Sequence, residues 1–357
     1  MLGKYYRGKT VLVTGHTGFK GGWISLWLKE LGAKVHGLAL RPHTSPNLYE
    51  TLAPGTFVQE TYGDICDVEL VKRTLLGAPP DIVFHLAAQP IVRRSFKEPL
   101  ETASTNILGT LNILEGLRQN NIDCPVVVVT SDKCYQNDEG SRAFVEGDPL
   151  GGHDVYSASK AAAEIMVRSW SLSFNVRVAT ARAGNVIGGG DYGEDRIVPD
   201  CVRALEARET IAVRNPRAAR PWQHVLDCVS GYMLLGAKLA EDESLADAFN
   251  FGPKPESKRT VRELVESFLL HWPGKWQDTS APDSPHEAAT LSLNINKAEA
   301  HLGWRPVLDF SQAVEYAAQW YKERDSNKES EMHSVCVAQL EDYTRLAAQP
   351  GPRRGLA

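Results

Sequence analysis

Residues 11–28, VLVTGHTGFKGGWISLWL, run from a β-branched apolar stretch through a cluster of glycines into an apolar segment. Gly15, Gly18 and Gly21 stand three apart, where a strand gives way to a helix. That spacing lets the backbone turn tightly, approach a pyrophosphate and aim helix N–H groups at it. Glycine spacing alone is weak evidence. The strand before it, the helix after it and its place at the first strand-to-helix crossing make it a dinucleotide-binding loop, with Thr17, Phe19 and Lys20 as further candidates inside it.

The first half of the chain alternates short apolar runs (TVLVTG, AKVHGLAL, DIVFHLAA, PVVVVTS, VRVATARAGNV) with amphipathic segments. Continuous apolar strands between helices predict a parallel sheet covered on both faces. The expected fold class is α/β: a Rossmann doubly wound parallel sheet with a smaller C-terminal α/β substrate-binding domain. Residues 1–186, joined by about 223–253 through the helix DCVSGYMLLGAKLA and the strand AFNFG, are assigned to the first domain. About 187–222 and 254–330 form the second, and 331–357 a C-terminal helix and tail. Ligands in such sheets bind beyond the carboxyl ends of the strands, so residues following each apolar run become site candidates.

An acid for the adenosine ribose should close the second strand, but GLALRPHT offers Arg41 there. Arg41 suits a 2′-phosphate, a stacking contact or a solvated loop, so NADP stays open beside NAD. Asp64, with Ile65 behind it in YGDICD, is placed to meet the adenine or to cap a helix. DVYSASKAAAEIM sets Tyr156 and Lys160 four apart, on one helical face. A nearby ammonium and a nicotinamide charge would stabilise phenolate, which suits Tyr156 to take a hydroxyl proton. Such a pair recurs by chance on surfaces. Behind a dinucleotide loop it reads as catalytic.

The 357 residues are 43% hydrophobic and 23% charged, with a formal net charge of -5. No basic footprint for nucleic acid or a membrane surface is present, and no apolar window approaches a membrane span. Six scattered cysteines without C-x-x-C spacing predict reduced thiols and no metal site. A cytoplasmic location is expected.

Across TGHTGFKG, HLAAQP, TSDK, YSASK, RAGNVIGGGD, RPWQHV and LGWRP the chain resembles the extended short-chain dehydrogenase/reductases that act on nucleotide sugars. Within them it is most similar to the 4,6-dehydratase branch that works on CDP-glucose. The resemblance implies a tightly held NAD, with Leu86, Ala87, Ala88, Gln89 and Asn106 along the cofactor and Thr130 beside the nicotinamide. It implies Ser131, Asp132, Lys133, Tyr156 and Lys160 as the catalytic set, and Arg94, Asn185, Arg196, Arg220, His224, His286 and Glu287 on the substrate side. A homodimer or homotetramer and a role in deoxysugar supply for a surface polysaccharide are further implications.

Oxidising C4 of a hexose makes the C5 hydrogen acidic. Loss of the C6 hydroxyl then needs a base for carbon and an acid for oxygen. Epimerases of this family carry small hydroxyl residues after the fifth strand, and dehydratases an acid followed by a base, commonly Asp-Glu. Asp132-Lys133 matches the CDP-glucose branch, with Lys133 as base and Asp132 as acid. As a base Lys133 has to be neutral, a state that burial beside Lys160 favours. The competing readings are a nucleotide-sugar 4-epimerase, a dehydratase for another sugar nucleotide, and a non-catalytic dinucleotide sensor.

Overall fold

The structure is a computed structural model and describes residues 2–137, 140, 142–280, 291–326 and 331–349. Strands β1 (Thr10–Thr14), β2 (Lys34–Ala39), β3 (Val58–Tyr62), β4 (Ile82–His85), β5 (Val126–Val129) and β6 (Val178–Ala183) join the strand Ala248–Phe251 in one sheet. Every neighbouring pair in it is parallel. From one edge to the other the order is Ala248–Phe251, β6, β5, β4, β1, β2, β3.

The inner strands β1, β2, β4, β5 and β6 each feed two cores because successive side chains leave a strand on opposite faces. Val11, Val13, Ile82, Phe84, Val127 and Val129 pack with Trp23, Ile24 and Leu28 of the Phe19–Glu30 helix and with Val229 and Met233 of the Val225–Glu241 helix. Leu12, Val83, Val126 and Val128 pack on the other side with Val71, Leu75, Ile113, Leu117 and Val167. Neither face of the central strands meets water, so β4 and β5 read as unbroken apolar runs, whereas the edge strand β3 (VQETY) exposes Gln59.

The chain builds outward from β1 to β3, then crosses back to place β4 on the other side of β1. That reversal opens a crevice at the carboxyl ends of β1 and β4. The Val155–Phe174 helix starts where Asp154 accepts the Ser157 N–H at 2.9 Å and ends at Asn175 in the left-handed region, φ 53°. Residues 99–119, PLETASTNILGTLNILEGLRQ, carry a π-helical stretch, Ser104–Gly109, between α-helical Pro99–Ala103 and Thr110–Gln119. Its wide turn contains Asn106.

Beyond the sheet, short pairs carry the rest: Val186–Ile187 with Gln223–His224, Ala219–Pro221 with Lys258–Thr260, and Ile211–Val213 with Trp276–Asp278. The C-terminal helix Met332–Ala347 packs back through buried Met332, Cys336, Leu340 and Tyr343. The last residues of the expected tail lie outside the described residues. No helix among the described residues is long and apolar enough to cross a membrane.

Candidate active site

A cavity of about 670 Å³ occupies the crevice and runs from the glycine loop to the Ile197–Glu206 helix. At the loop, Gly15 has φ 74°, and a Cβ there would stand 2.8 Å from the Ala87 nitrogen. A Cβ on Gly21 would stand 2.0 Å from the Gly15 carbonyl oxygen. Any side chain at either position would push the loop off the sheet and close the space before the first helical N–H groups. Gly18, Thr17, Phe19 and Lys20 also line the cavity. This cradle, with a helix N-terminus opening onto it, fits a dinucleotide pyrophosphate.

At the far end of the loop side, Arg41 is exposed and lies 4.2 Å over the Tyr62 ring. Asp64 Oδ1 accepts the Cys66 N–H at 2.8 Å, and the cap of the next helix is Asp67, which accepts from Leu70 at 3.0 Å. The helix-cap alternative for Asp64 is therefore corrected: Asp64 shapes the turn at the end of β3 and borders the cavity beside Ile65.

On the β4 side, Thr14 Oγ1 accepts the Leu86 and Ala87 N–H groups at 3.1 and 3.2 Å and contacts His85 Nδ1 at 2.8 Å. Burial first, then the Lys160 charge, pushes His85 down to about 3, so it is a neutral strut. Ala88 and Gln89 continue this wall. Asn106 does not reach the cavity lining. Its carboxamide accepts from the Gln89 N–H at 2.8 Å and donates to the Gln89 carbonyl and to Ser159 Oγ at 3.1 and 2.9 Å. Asn106 thus ties the cofactor wall to the Tyr156 helix and is a positioning residue where a direct contact was expected.

Tyr156, Lys160, Thr130, Ser131, Asp132 and Lys133 meet on one stretch of cavity wall. Lys160 Nζ donates to the Val129 carbonyl at 3.3 Å. Burial and then the Lys20 ammonium pull Lys160 down to about 8. Tyr156 is pushed up to about 12 by burial, against the lowering effects of the Ser131 hydroxyl and Arg196. The lowered phenol expected from sequence is not met by the protein's own groups: desolvation of the anion is the largest effect on the ring. Asp132 is 4% exposed, and burial raises its carboxyl above the usual range against the pull of Lys133, Ser131 and Arg220. A carboxyl held toward its protonated form suits a proton donor. The Ser131 hydroxyl donates to Asp132 Oδ1 at 3.1 Å and accepts the Lys133 N–H at 3.2 Å. Lys133 is half-buried.

Across the cavity, Arg196 forks onto both oxygens of buried Asp191 at 2.8 and 2.9 Å. Asn185 and Arg220 line the same region, and Arg94 stands at its rim paired with Glu101 at 2.8 Å. His224 is corrected: it is fully buried, off the cavity, and its Nδ1 accepts the Leu226 N–H at 3.3 Å as the cap of the Val225–Glu241 helix. His286 and Glu287 lie outside the described residues.

Several residues escaped the sequence reading. His16, in the glycine loop, is buried against Gly37, where a Cβ would meet its ring at 2.5 Å, and its Nε2 lies 3.5 Å from Glu60. Gly184 makes room for Asp132, Asp191 holds Arg196, and Glu164 sits buried one helical turn beyond Lys160. The available signal was the charged residue inside an apolar face, as with Glu164 in KAAAEIM and Arg182 in VATARAG.

The family model described as GDP-mannose 4,6 dehydratase matches residues 12–317. The CDP-glucose 4,6-dehydratase of Salmonella typhimurium is 41% identical over 330 residues, covering 89% of this chain and 92% of that protein. Among solved structures, the dTDP-glucose 4,6-dehydratase of Streptomyces venezuelae with NAD and TYD bound is 25% identical, with a TM-score of 0.77 over 89% of this chain and 98% of the other. The UDP-glucose 4-epimerase of Thermus thermophilus in complex with NAD is 26% identical, with a TM-score of 0.77 over 88% and 99%.

Proposed function

The chain belongs to the GDP-mannose 4,6 dehydratase family, and we propose that within it this member removes water from CDP-glucose, leaving CDP-4-keto-6-deoxy-glucose. The observation that carries the reading is the buried Asp132 carboxyl beside Lys133, on the wall that also holds Tyr156 and Lys160. A 4-epimerase needs no acid and base beyond the tyrosine. The 41% identity to a CDP-glucose enzyme supports the choice of base over other sugar nucleotides.

Gly15, Gly18, Gly21 and the Leu86–Gln89 wall would hold a nicotinamide dinucleotide, read here as NAD. Held there, it would supply hydride acceptance from C4 of the sugar and hydride return to C6, a redox-neutral cycle. Tyr156 takes the C4 hydroxyl proton, helped by the charge of Lys160. Lys133 takes the proton at C5 and gives a proton back to C5 when hydride is restored at C6. Asp132 gives its proton to the departing C6 oxygen, which leaves as water. Arg196 and Arg220 are suited to fork diphosphate oxygens once Arg196 turns from Asp191.

The division into a cofactor domain, 1–186 with about 223–253, and a sugar-nucleotide domain is our reading of the same layout. It is supported by the Ala248–Phe251 strand lying against β6. We also read the protein as a cytoplasmic homodimer or homotetramer that supplies deoxysugars for a surface polysaccharide. Leu100 and Leu108 on one helix, and Ile165 and Leu172 on the Tyr156 helix, are 55–81% exposed and offer an apolar face for a second copy. The test is incubation with CDP-glucose, UDP-glucose and dTDP-glucose, read by mass for loss of water. Loss from CDP-glucose is expected, and no loss from any of the three overturns the proposal.

A further inference from the structure

The Ser131–Cys134 turn that carries Asp132 and Lys133 is short and sits where the sheet opens, yet its two ends run into one buried network. At its start, the Thr130 hydroxyl donates to Glu164 Oε1. Glu164 Oε2 accepts from Thr180 at 2.7 Å and from Arg182 Nη2 at 2.8 Å. At its end, Arg182 Nη1 donates to the Tyr135 hydroxyl at 2.9 Å and to the Glu146 carbonyl at 3.0 Å. The Tyr135 hydroxyl donates on to Asn250 Oδ1 at 2.7 Å, and its ring stacks on Phe144 with centroids 4.8 Å apart. The side chains of Glu164 and Arg182 are 3% and 4% exposed.

Burying an ion pair costs desolvation that its attraction repays only with well-made hydrogen bonds, so such a pair is poor evidence for stability. Here Arg182 Nε has no partner, which adds to the cost. What the pair accomplishes is geometric. It joins the Tyr156 helix, one turn beyond Lys160, to β6 and to both ends of the acid–base turn.

We propose that Glu164 and Arg182 are positioning residues for the elimination: the pair holds the Ser131–Cys134 turn through Thr130 and Tyr135, and so fixes where the Asp132 carboxyl and Lys133 amine meet C6 and C5 of the sugar. Neither touches the cavity. The inference rests on the dehydratase reading above. It assigns these residues to proton removal and water loss, and leaves C4 oxidation to Tyr156 and Lys160.

Isotope effects separate those steps, because a smaller fraction of well-folded enzyme lowers kcat without moving them. Tyr135→Phe keeps the stacked ring and removes the hydroxyl joining Arg182 to Asn250. Glu164→Gln keeps the shape and removes the charge. With CDP-glucose deuterated at C4 or at C5, each variant is expected to lose about tenfold in kcat with KM held within about twofold. The C5 isotope effect is expected to grow while the C4 effect falls toward unity. Isotope effects that stay at wild-type values, however far kcat falls, overturn the positioning role. Should Glu164→Gln fail to fold, Tyr135→Phe decides alone. The wild-type control separates the two levels: if it forms no dehydrated product the function itself fails, whereas active wild type with unmoved isotope effects in the variants defeats only this inference.

Discussion

A Cβ on Gly184 would stand 2.8 Å from Oδ2 of Asp132, so the Asp132 carboxyl fills the space that a side chain at the end of β6 would take. Gly184 borders the cavity beside Asn185, and its role is to let a buried acid lie flat against the sheet edge. Gly184→Ala is expected to displace that carboxyl by a few tenths of an ångström or more and to lower kcat by about ten- to a hundredfold. Dinucleotide binding, measured by fluorescence quenching, should stay intact. A variant with wild-type kcat contradicts this placement.

Lys133 has a separable task. Lys133→Ala should abolish solvent-deuterium exchange at C5 while C4 oxidation survives. The readout is the mass of recovered sugar nucleotide after incubation in deuterated water. Exchange at the wild-type rate would make Lys133 structural.

Arg41 lies over the Tyr62 ring and is exposed, with no acid in its place. Cofactor released by denaturation is expected to be NAD by mass. Arg41→Ala is expected to weaken NAD binding by no more than about fivefold, because an exposed stacking cation is worth about 0.5–1 kcal/mol. A 2′-phosphorylated dinucleotide in the released fraction would reverse the assignment.

Asp227 gives stability a distinctive pH dependence. Its carboxylate accepts the Val307 and Leu308 N–H groups at 2.6 and 3.3 Å and the Tyr343 hydroxyl at 2.8 Å, joining the Val225–Glu241 helix to the C-terminal helix. Burial nevertheless pushes it up from 3.8 to about 6, opposed by those donors and by Lys254, with Cys228 also facing it. A carboxyl whose folded value is raised contributes stability that is complete below its unfolded value and lost as pH climbs through the folded one. The shift corresponds to about 3 kcal/mol at most. Wild type should therefore lose Tm relative to Asp227→Asn between about pH 4 and 7. Parallel Tm curves would show that Asp227 does not titrate in this window.

The sheet, the glycine loop and the Tyr156 helix were legible because each leaves a local signal: an unbroken apolar run, glycines spaced by three, two polar residues four apart. Asp132 and Lys133 were legible by position, following β5. What local pattern could not carry was the use of a side chain by distant backbone. His224 looked like a ligand in RPWQHV and is a helix cap; Asn106 looked like a cofactor contact and is a tie between Gln89 and Ser159. The phenol of Tyr156 was expected to be lowered by Lys160 and a nicotinamide charge; among the protein's own groups burial, which depends on the assembled cavity, is the largest effect and raises it. Glu164 and Arg182 were hidden for the same reason, since their meeting requires β6 beside the Tyr156 helix.

The Ala248–Phe251 strand, buried along its whole length against β6, has a consequence for biosynthesis. During translation every other strand of the sheet is made by residue 183, and some 65 residues separate β6 from the partner that covers its outer edge. A nascent chain in that interval presents six residues that are buried in the finished protein, with unsatisfied backbone groups facing any other chain nearby. The wait for one short strand is thus the stage at which this protein is most exposed to aggregation, and a chaperone that shields an open sheet edge would act there.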